Sequence, residues 1–138
     1  MTKTLATWLG VIFLLMGVLG FIPGITNDGM LFGVFMVDTI HSIVFLLTGI
    51  LALWMGMAGD ASAKSFFKIF GVIYAIIAIF GFFQGDSDKV LGLFNNNMAD
   101  TWLHIVAALV FLWAGFSGGS SDAMPSNDAM PPTQTPTM

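Results

Sequence analysis

The sequence predicts an all-α integral membrane four-helix bundle, built from two helical hairpins repeated in parallel sense and followed by a disordered C-terminal tail. Three observations predict it. The 138 residues are 57% hydrophobic and only 9% charged, with a mean hydropathy of +0.89. A soluble domain carries roughly 25% charged residues, so this chain cannot dress a water-facing surface and needs the bilayer as its solvent. Apolar runs near the ~20 residues that cross ~30 Å of hydrocarbon occur four times. The first half of the apolar region also reads again in the second.

The same composition excludes whole classes. The net charge is -4, with no Arg and no Glu, so there is no basic patch for nucleic acid. Cysteine is absent, which rules out disulfides and thiolate metal sites. There is no serine nucleophile elbow, phosphate loop or zinc-protease motif. The length sets one compact domain as the ceiling.

The first run covers residues 5–25. Lys3 precedes it, as in a signal peptide, but the run is long and no small-x-small cleavage site follows. Pro23 and Gly24 end the helix, because Pro lacks the amide and disfavours helix in the residue before it. Asn27-Asp28-Gly29 reads as a turn. Residues 30–37 are apolar but too short to span, and should lie in the membrane interface or cap the bundle.

Asp38 reads as the N-cap of helix 2, its carboxylate accepting from free amides of the first turn. That helix runs to about residue 57, with Thr48, Ala52 and Gly56 forming a small-residue stripe for close helix approach. Residues 59–65 read as a polar hairpin carrying Asp60 and Lys64, with Lys68 able to snorkel outward from the next helix. Helix 3 covers about residues 66–83. Tyr74 lies near its middle, where a buried hydroxyl seeks a hydrogen bond to another helix. Residues 85–99 form a wetter loop with Asp86, Asp88, Lys89 and Asn95-Asn96-Asn97, and helix 4 covers about residues 100–116. The remainder, residues 117–138, is rich in Gly, Ser, Pro, Asn and Thr and should be a disordered cytoplasmic tail. Its spaced methionines are read as part of a solvated tail rather than a Cu(I) site.

Residues 1–116 are therefore expected to form one transmembrane domain of two repeats, about 5–58 and 66–116. Residues 10–24 align without a gap on 71–85, matching Gly20 and Gly24 with Gly81 and Gly85. Leu31-Phe32-Gly33-Val34-Phe35 lies over Val90-Leu91-Gly92-Leu93-Phe94, and Asp-Thr pairs with histidines follow at Asp38, Thr39, His41 and Asp100, Thr101, His104. A two-span unit returns to its starting side, so both units share one orientation and are related by an axis along the membrane normal. Lys3, Lys64 and Lys68 fall on the side of both termini and Lys89 on the other, which puts both termini in the cytoplasm of a multi-pass protein. Trp8, Trp54, Trp102 and Trp113 fall near helix ends, as an aromatic belt requires.

Candidate chemistry gathers where the histidines are. His41 and His104 are the two histidines of the chain, three and four residues after Asp38 and Asp100. Both spacings put carboxylate and imidazole on one helical face. Asp38, His41, Asp100 and His104 meeting across a pseudo-twofold axis could ligate a divalent metal, and His41 with His104 could hold haem b from both faces. The competing reading is that the aspartates cap helices while the histidines sit at headgroup level with local hydrogen bonds. It is preferred, because an interfacial His needs no function to justify it. None of the four spans has a central Asp, Lys or His, which argues against an ion-coupled transporter.

The stretches Gly20-Phe21-Ile22-Pro23-Gly24, residues 33–41 followed by an apolar helix with Gly49, and residues 99–104 carry a resemblance. Over about residues 5–116 the chain resembles a family of small bacterial four-helix membrane proteins, domain of unknown function 4383. In that family's pattern an Asn often stands at the position of Asp38, and a further His often follows where this chain has Phe45. The second departure weakens any carry-over of a metal site. The resemblance implies a bacterial inner membrane and no stated activity.

The leading expectation is thus a non-enzymatic structural or interaction component of that membrane, surrounded by lipid, with no cofactor, forming a homo-oligomer or small membrane complex. The second reading, from a different class, is a metal- or haem-binding redox protein using His41 and His104.

Overall fold

A computed structural model describes residues 1–85 and 89–117. The expected tail from residue 118 onward, and Asp86 and Asp88 of the expected loop, lie outside the described residues. The elements in order are helix α1 (Thr2–Leu19), strands β1 (Thr26–Asn27), β2 (Met30–Leu31) and β3 (Phe35–Met36), helices α2 (Thr39–Met57) and α3 (Asp60–Gln84), strands β4 (Lys89–Val90) and β5 (Phe94–Asn95), and helix α4 (Met98–Phe116). Four helices are long and apolar enough to cross a membrane. At 1.5 Å per residue, the 18 residues of α1 span ~27 Å and the 25 of α3 span ~38 Å.

The distribution of side chains suits lipid. Leu15, Leu47, Ile50 and Leu109 are each more than half exposed, as are all four tryptophans. The fully buried set instead includes His41, Asn96, Asp100, Thr101 and His104. Apolar outside and polar inside is the arrangement a bilayer permits and bulk water does not.

Helix α1 packs along α2, and α3 along α4. Glycine makes both seams possible. A Cβ on Gly49 would stand 2.6 Å from the backbone nitrogen of Leu14, and one on Gly17 would stand 2.7 Å from that of Leu46. A Cβ on Gly115 would stand 2.8 Å from the backbone nitrogen of Lys68. Without a hydrophobic drive between helices in lipid, such close backbone approach is what supplies packing energy. The expected stripe behaves so: Thr48, Ala52 and Gly56 are all buried, and Gly56 lies against Ala6 and the Lys3 carbonyl. Between the hairpins an aromatic layer fills the centre, where Phe13 meets Phe45, Tyr74 and Phe111 at centroid distances of 5.6–5.8 Å. The Tyr74 hydroxyl and Thr48 Oγ1 share a hydrogen bond of 3.0 Å, the interhelical bond expected of that tyrosine.

Several boundaries differ from the sequence reading. Helix α1 starts earlier and stops at Leu19, where the Thr26 hydroxyl donates to the freed Leu19 carbonyl. The polar hairpin expected at residues 59–65 is mostly the first turns of α3. Ala58 and Gly59, the latter at φ +122°, make the reversal, and the Asp60 carboxylate accepts from the Lys3 amide at 2.9 Å and the terminal amine at 3.4 Å.

The segments between helices at the other end are small β-hairpins rather than irregular loops. Strands β1, β2 and β3 form one antiparallel sheet, and β4 and β5 another. The Asp28-Gly29 turn joins β1 to β2 with φ +51° and +76°, the left-handed pair that a two-residue hairpin turn requires. Leu31 and Val90 are fully buried beneath these sheets, which close that end of the bundle.

Candidate functional site at the polar end of the bundle

Helices α2 and α4 both begin under the β-hairpins, and their first turns carry the candidate residues. Asp38 caps α2: its Oδ1 accepts the His41 amide at 2.8 Å. Its Oδ2 accepts the Asn95 amide of strand β5 at 2.8 Å, so both oxygens are engaged by backbone. Asp100 is not a cap. Asn97 caps α4, its side-chain oxygen accepting the Asp100 amide at 2.9 Å, while Asp100 Oδ2 accepts the Asn97 amide at 3.1 Å. This reciprocal capping box satisfies two free donors of the first turn. Asp100 Oδ2 also accepts the Met36 amide of strand β3 at 2.9 Å, and the Asn97 amide group donates to the Val34 carbonyl at 2.8 Å.

The two Asp-Thr pairs therefore look alike but occupy different places. Asp38 precedes its helix, whereas Asp100 is the third residue of α4. The histidines are offset in consequence. His41 is the third residue of α2 and His104 the seventh of α4, so His104 lies four residues, or ~6 Å, further along its helix. The hydrogen bonds of His41 are not local alone, since its ring also reaches the Asn95 carbonyl of strand β5. Both rings are buried, at 0% and 1% exposure.

His41 and His104 are nevertheless brought together, with ring centroids 5.6 Å apart and planes 25° from parallel. His41 Nδ1 lies 3.0 Å from the Met36 carbonyl and 3.2 Å from the Asn95 carbonyl. Both partners are acceptors, so Nδ1 carries the proton and donates. His41 Nε2 is left facing the interior without a partner, as is His104 Nδ1. Asp100 Oδ1, Asn96 Oδ1 and Ser42 Oγ are also buried and unpartnered. Around the imidazoles stand Phe45 and Phe94, 4.5 and 4.8 Å from His41, and Tyr74, edge-on to His104 at 5.4 Å.

This packing decides what the residues could hold. A haem b between the two histidines needs an open slot for a flat macrocycle; the two buried rings instead lie 5.6 Å apart, ringed by Phe45, Phe94 and Tyr74, and the residues do not fit it. A metal bound by Asp38, His41, Asp100 and His104 would find both Asp38 oxygens and Asp100 Oδ2 already serving backbone amides. Among the described residues no three His, Asp or Glu side chains gather as a group that could hold a metal ion. The remaining donors are the two imidazole nitrogens, with Asp100 Oδ1 the one carboxylate oxygen of the four left unpartnered.

Asn97 is the capping residue that the sequence reading left in a loop, beside Asn96 and Thr101, whose side chains are joined at 2.8 Å. The signal was present: Asn97 and Asp100 have the three-residue spacing of a capping box.

A bundle of four membrane-capable helices, closed at one end by β-hairpins that bury polar side chains, defines a small α-helical membrane protein. The chain belongs to the family described as Domain of unknown function (DUF4383), whose model matches residues 3–117. No curated protein and no solved structure matches it. That family description assigns no activity.

Proposed function

We propose that this protein is a non-enzymatic structural or interaction component of a bacterial inner membrane, a bundle of two tandem parallel-sense hairpins with both termini cytoplasmic, working as a homo-oligomer or within a small membrane complex. The observation that carries the reading is the use made of the polar residues. Asp38 of the first hairpin bonds the Asn95 amide of the second, and Asp100 of the second bonds the Met36 amide of the first. The carboxylates that looked available for chemistry serve to lock the halves together.

Pairs of matched contacts support the duplication. Gly10 lies against Leu53 as Gly71 lies against Leu112, and Gly20 faces the Ser42 hydroxyl as Gly81 faces that of Thr101. In this register Asn97 corresponds to Asp38, Asp100 to His41 and His104 to Phe45. Lys3, Lys64 and Lys68 on one side against Lys89 on the other support the orientation.

Single cysteines test it, since the chain has none of its own. Asn27→Cys should react with an impermeant thiol reagent from outside intact cells and Ala61→Cys should not; the reverse pattern overturns the orientation. The detergent-purified protein should show no haem absorption and no stoichiometric metal.

The two-nitrogen remainder carries the second reading, a small metal site at His41 Nε2 and His104 Nδ1, because buried polar atoms normally have partners. Stoichiometric zinc or copper in the purified protein, lost in both His41→Gln and His104→Gln, would establish that reading and displace the first.

A further inference from the structure

The turns joining β2 to β3 and β4 to β5 share an unusual backbone. Phe32 and Gly33 have φ of +55° and +68°, and Leu91 and Gly92 have +52° and +71°. The Val34 amide donates to the Leu31 carbonyl at 3.1 Å, and the Leu93 amide to the Val90 carbonyl at 2.9 Å. Asn, Asp and Gly suit a first turn residue with positive φ, and a bulky side chain there is an outlier. The chain supplies its own comparison: the β1–β2 turn needs the same conformation and uses Asp28-Gly29. At the other two turns it accepts the strained choice, Phe in one and Leu in the other.

Those side chains do not fill the core. Phe32 is 58% exposed and Leu91 47%, and Val34 and Leu93 beside them are also about half exposed. A Cβ built on Gly33 or Gly92 would meet nothing within 4 Å, so both turns face open space at their glycines. Backbone strain kept at two tips to display apolar groups points to something those groups contact.

We propose that the Phe32-Gly33-Val34 and Leu91-Gly92-Leu93 tips are a pair of membrane-interface anchors, inserted at the headgroup–acyl boundary of the leaflet around the β-capped end. This rests on the membrane reading above. Three features favour lipid as the occupant. The tips belong to segments that link membrane-capable helices, and Phe82 and Phe83 at the end of α3 and Phe21 just past α1 are exposed as well. The hairpins satisfy their turn amides internally, so their backbone tolerates the boundary. Exposed Lys89, next to the second tip, is long enough to reach a lipid phosphate while its stem stays apolar.

Spin labels on single cysteines in phospholipid nanodiscs test this, using collision with oxygen, which concentrates in lipid, and with a water-soluble nickel chelate. Labels at Phe32→Cys and Leu91→Cys should be accessible to oxygen and protected from nickel, while Asn27→Cys in the neighbouring turn should be accessible to nickel. Leu47→Cys, on the outer face of α2, reports the membrane reading separately. If Leu47→Cys is in lipid but the tip labels match Asn27→Cys, the anchors are wrong and the membrane reading stands. If Leu47→Cys is open to nickel, the membrane reading itself fails. Tip labels shielded from both reagents would mean that a second copy or another protein covers the tips, and would overturn the proposal.

Discussion

The carboxylate of Asp38 accepts the backbone amide of Asn95 at 2.8 Å, joining residues 57 positions apart at the end of the bundle. Its other oxygen caps α2. A carboxylate bonded to two amides loses a helix cap and a charge-assisted hydrogen bond together when removed, a combined loss of about 2–4 kcal/mol. Asp38→Ala should therefore lower stability by about that amount in detergent. An unchanged melting temperature would mean that the contact between the hairpins contributes nothing.

The histidines should respond unequally. His41→Leu removes the donor shared by the Met36 and Asn95 carbonyls, and should destabilise by about 1–3 kcal/mol. His104→Phe removes a ring nitrogen that has no partner and substitutes the residue type found at Phe45, so it should stay within ~1 kcal/mol of the parent. A His104→Phe variant that melts far below its parent would show that the imidazole, not its volume, is needed.

Glycines in seams and glycines in turns should separate cleanly. Gly49→Ala places a Cβ 2.6 Å from the Leu14 backbone nitrogen and must push α1 from α2. A loss of about 1–3 kcal/mol is expected, as for an overpacked core. Gly33→Ala meets no atom but keeps a left-handed φ of +68°, which costs roughly 1–2 kcal/mol. Near-ultraviolet circular dichroism or fluorescence melts would measure both losses, and distances between spin labels on α1 and α2 should lengthen only in Gly49→Ala.

Tyr74→Phe keeps the ring contacts with Phe13, Phe111 and His104 and loses the bond to Thr48. The Thr48 hydroxyl still donates to the Val44 carbonyl at 2.8 Å, so no donor is stranded. The expected loss is about 0.5–1.5 kcal/mol by thermal melting. Tyr74→Ala empties the aromatic layer and should cost about 3–5 kcal/mol; equal effects from both variants would contradict this division.

The helices were legible because apolar runs of spanning length have few other uses. The start of α3 was not: residues 60–65 are polar enough to read as a loop, yet Ala63 is fully buried and the Asp60 carboxylate bonds the Lys3 amide. The β-hairpins escaped because their strands are two residues long, below any periodicity. The resemblance of Asp100-Thr101 to Asp38-Thr39 drew the α4 cap three residues too far, past Asn97. His41 does meet His104, but as the third residue of one helix and the seventh of another, not as the matching positions that the repeated Asp-Thr pairs suggested. That their carboxylates would be taken by Asn95, Met36 and Asn97 amides depends on strand positions that no local pattern encodes.

The exchange of bonds between Asp38 and Asn95, and between Asp100 and Met36, bears on biogenesis. When the first hairpin has left the ribosome and entered the membrane, the amide partner of its carboxylate has not yet been synthesised. The first half is thus an unfinished product, its Asp38 carboxylate and His41 imidazole lacking the Asn95 groups they bond in the complete chain. Truncation between the halves should therefore yield a less stable species, and coexpressed halves should rescue each other.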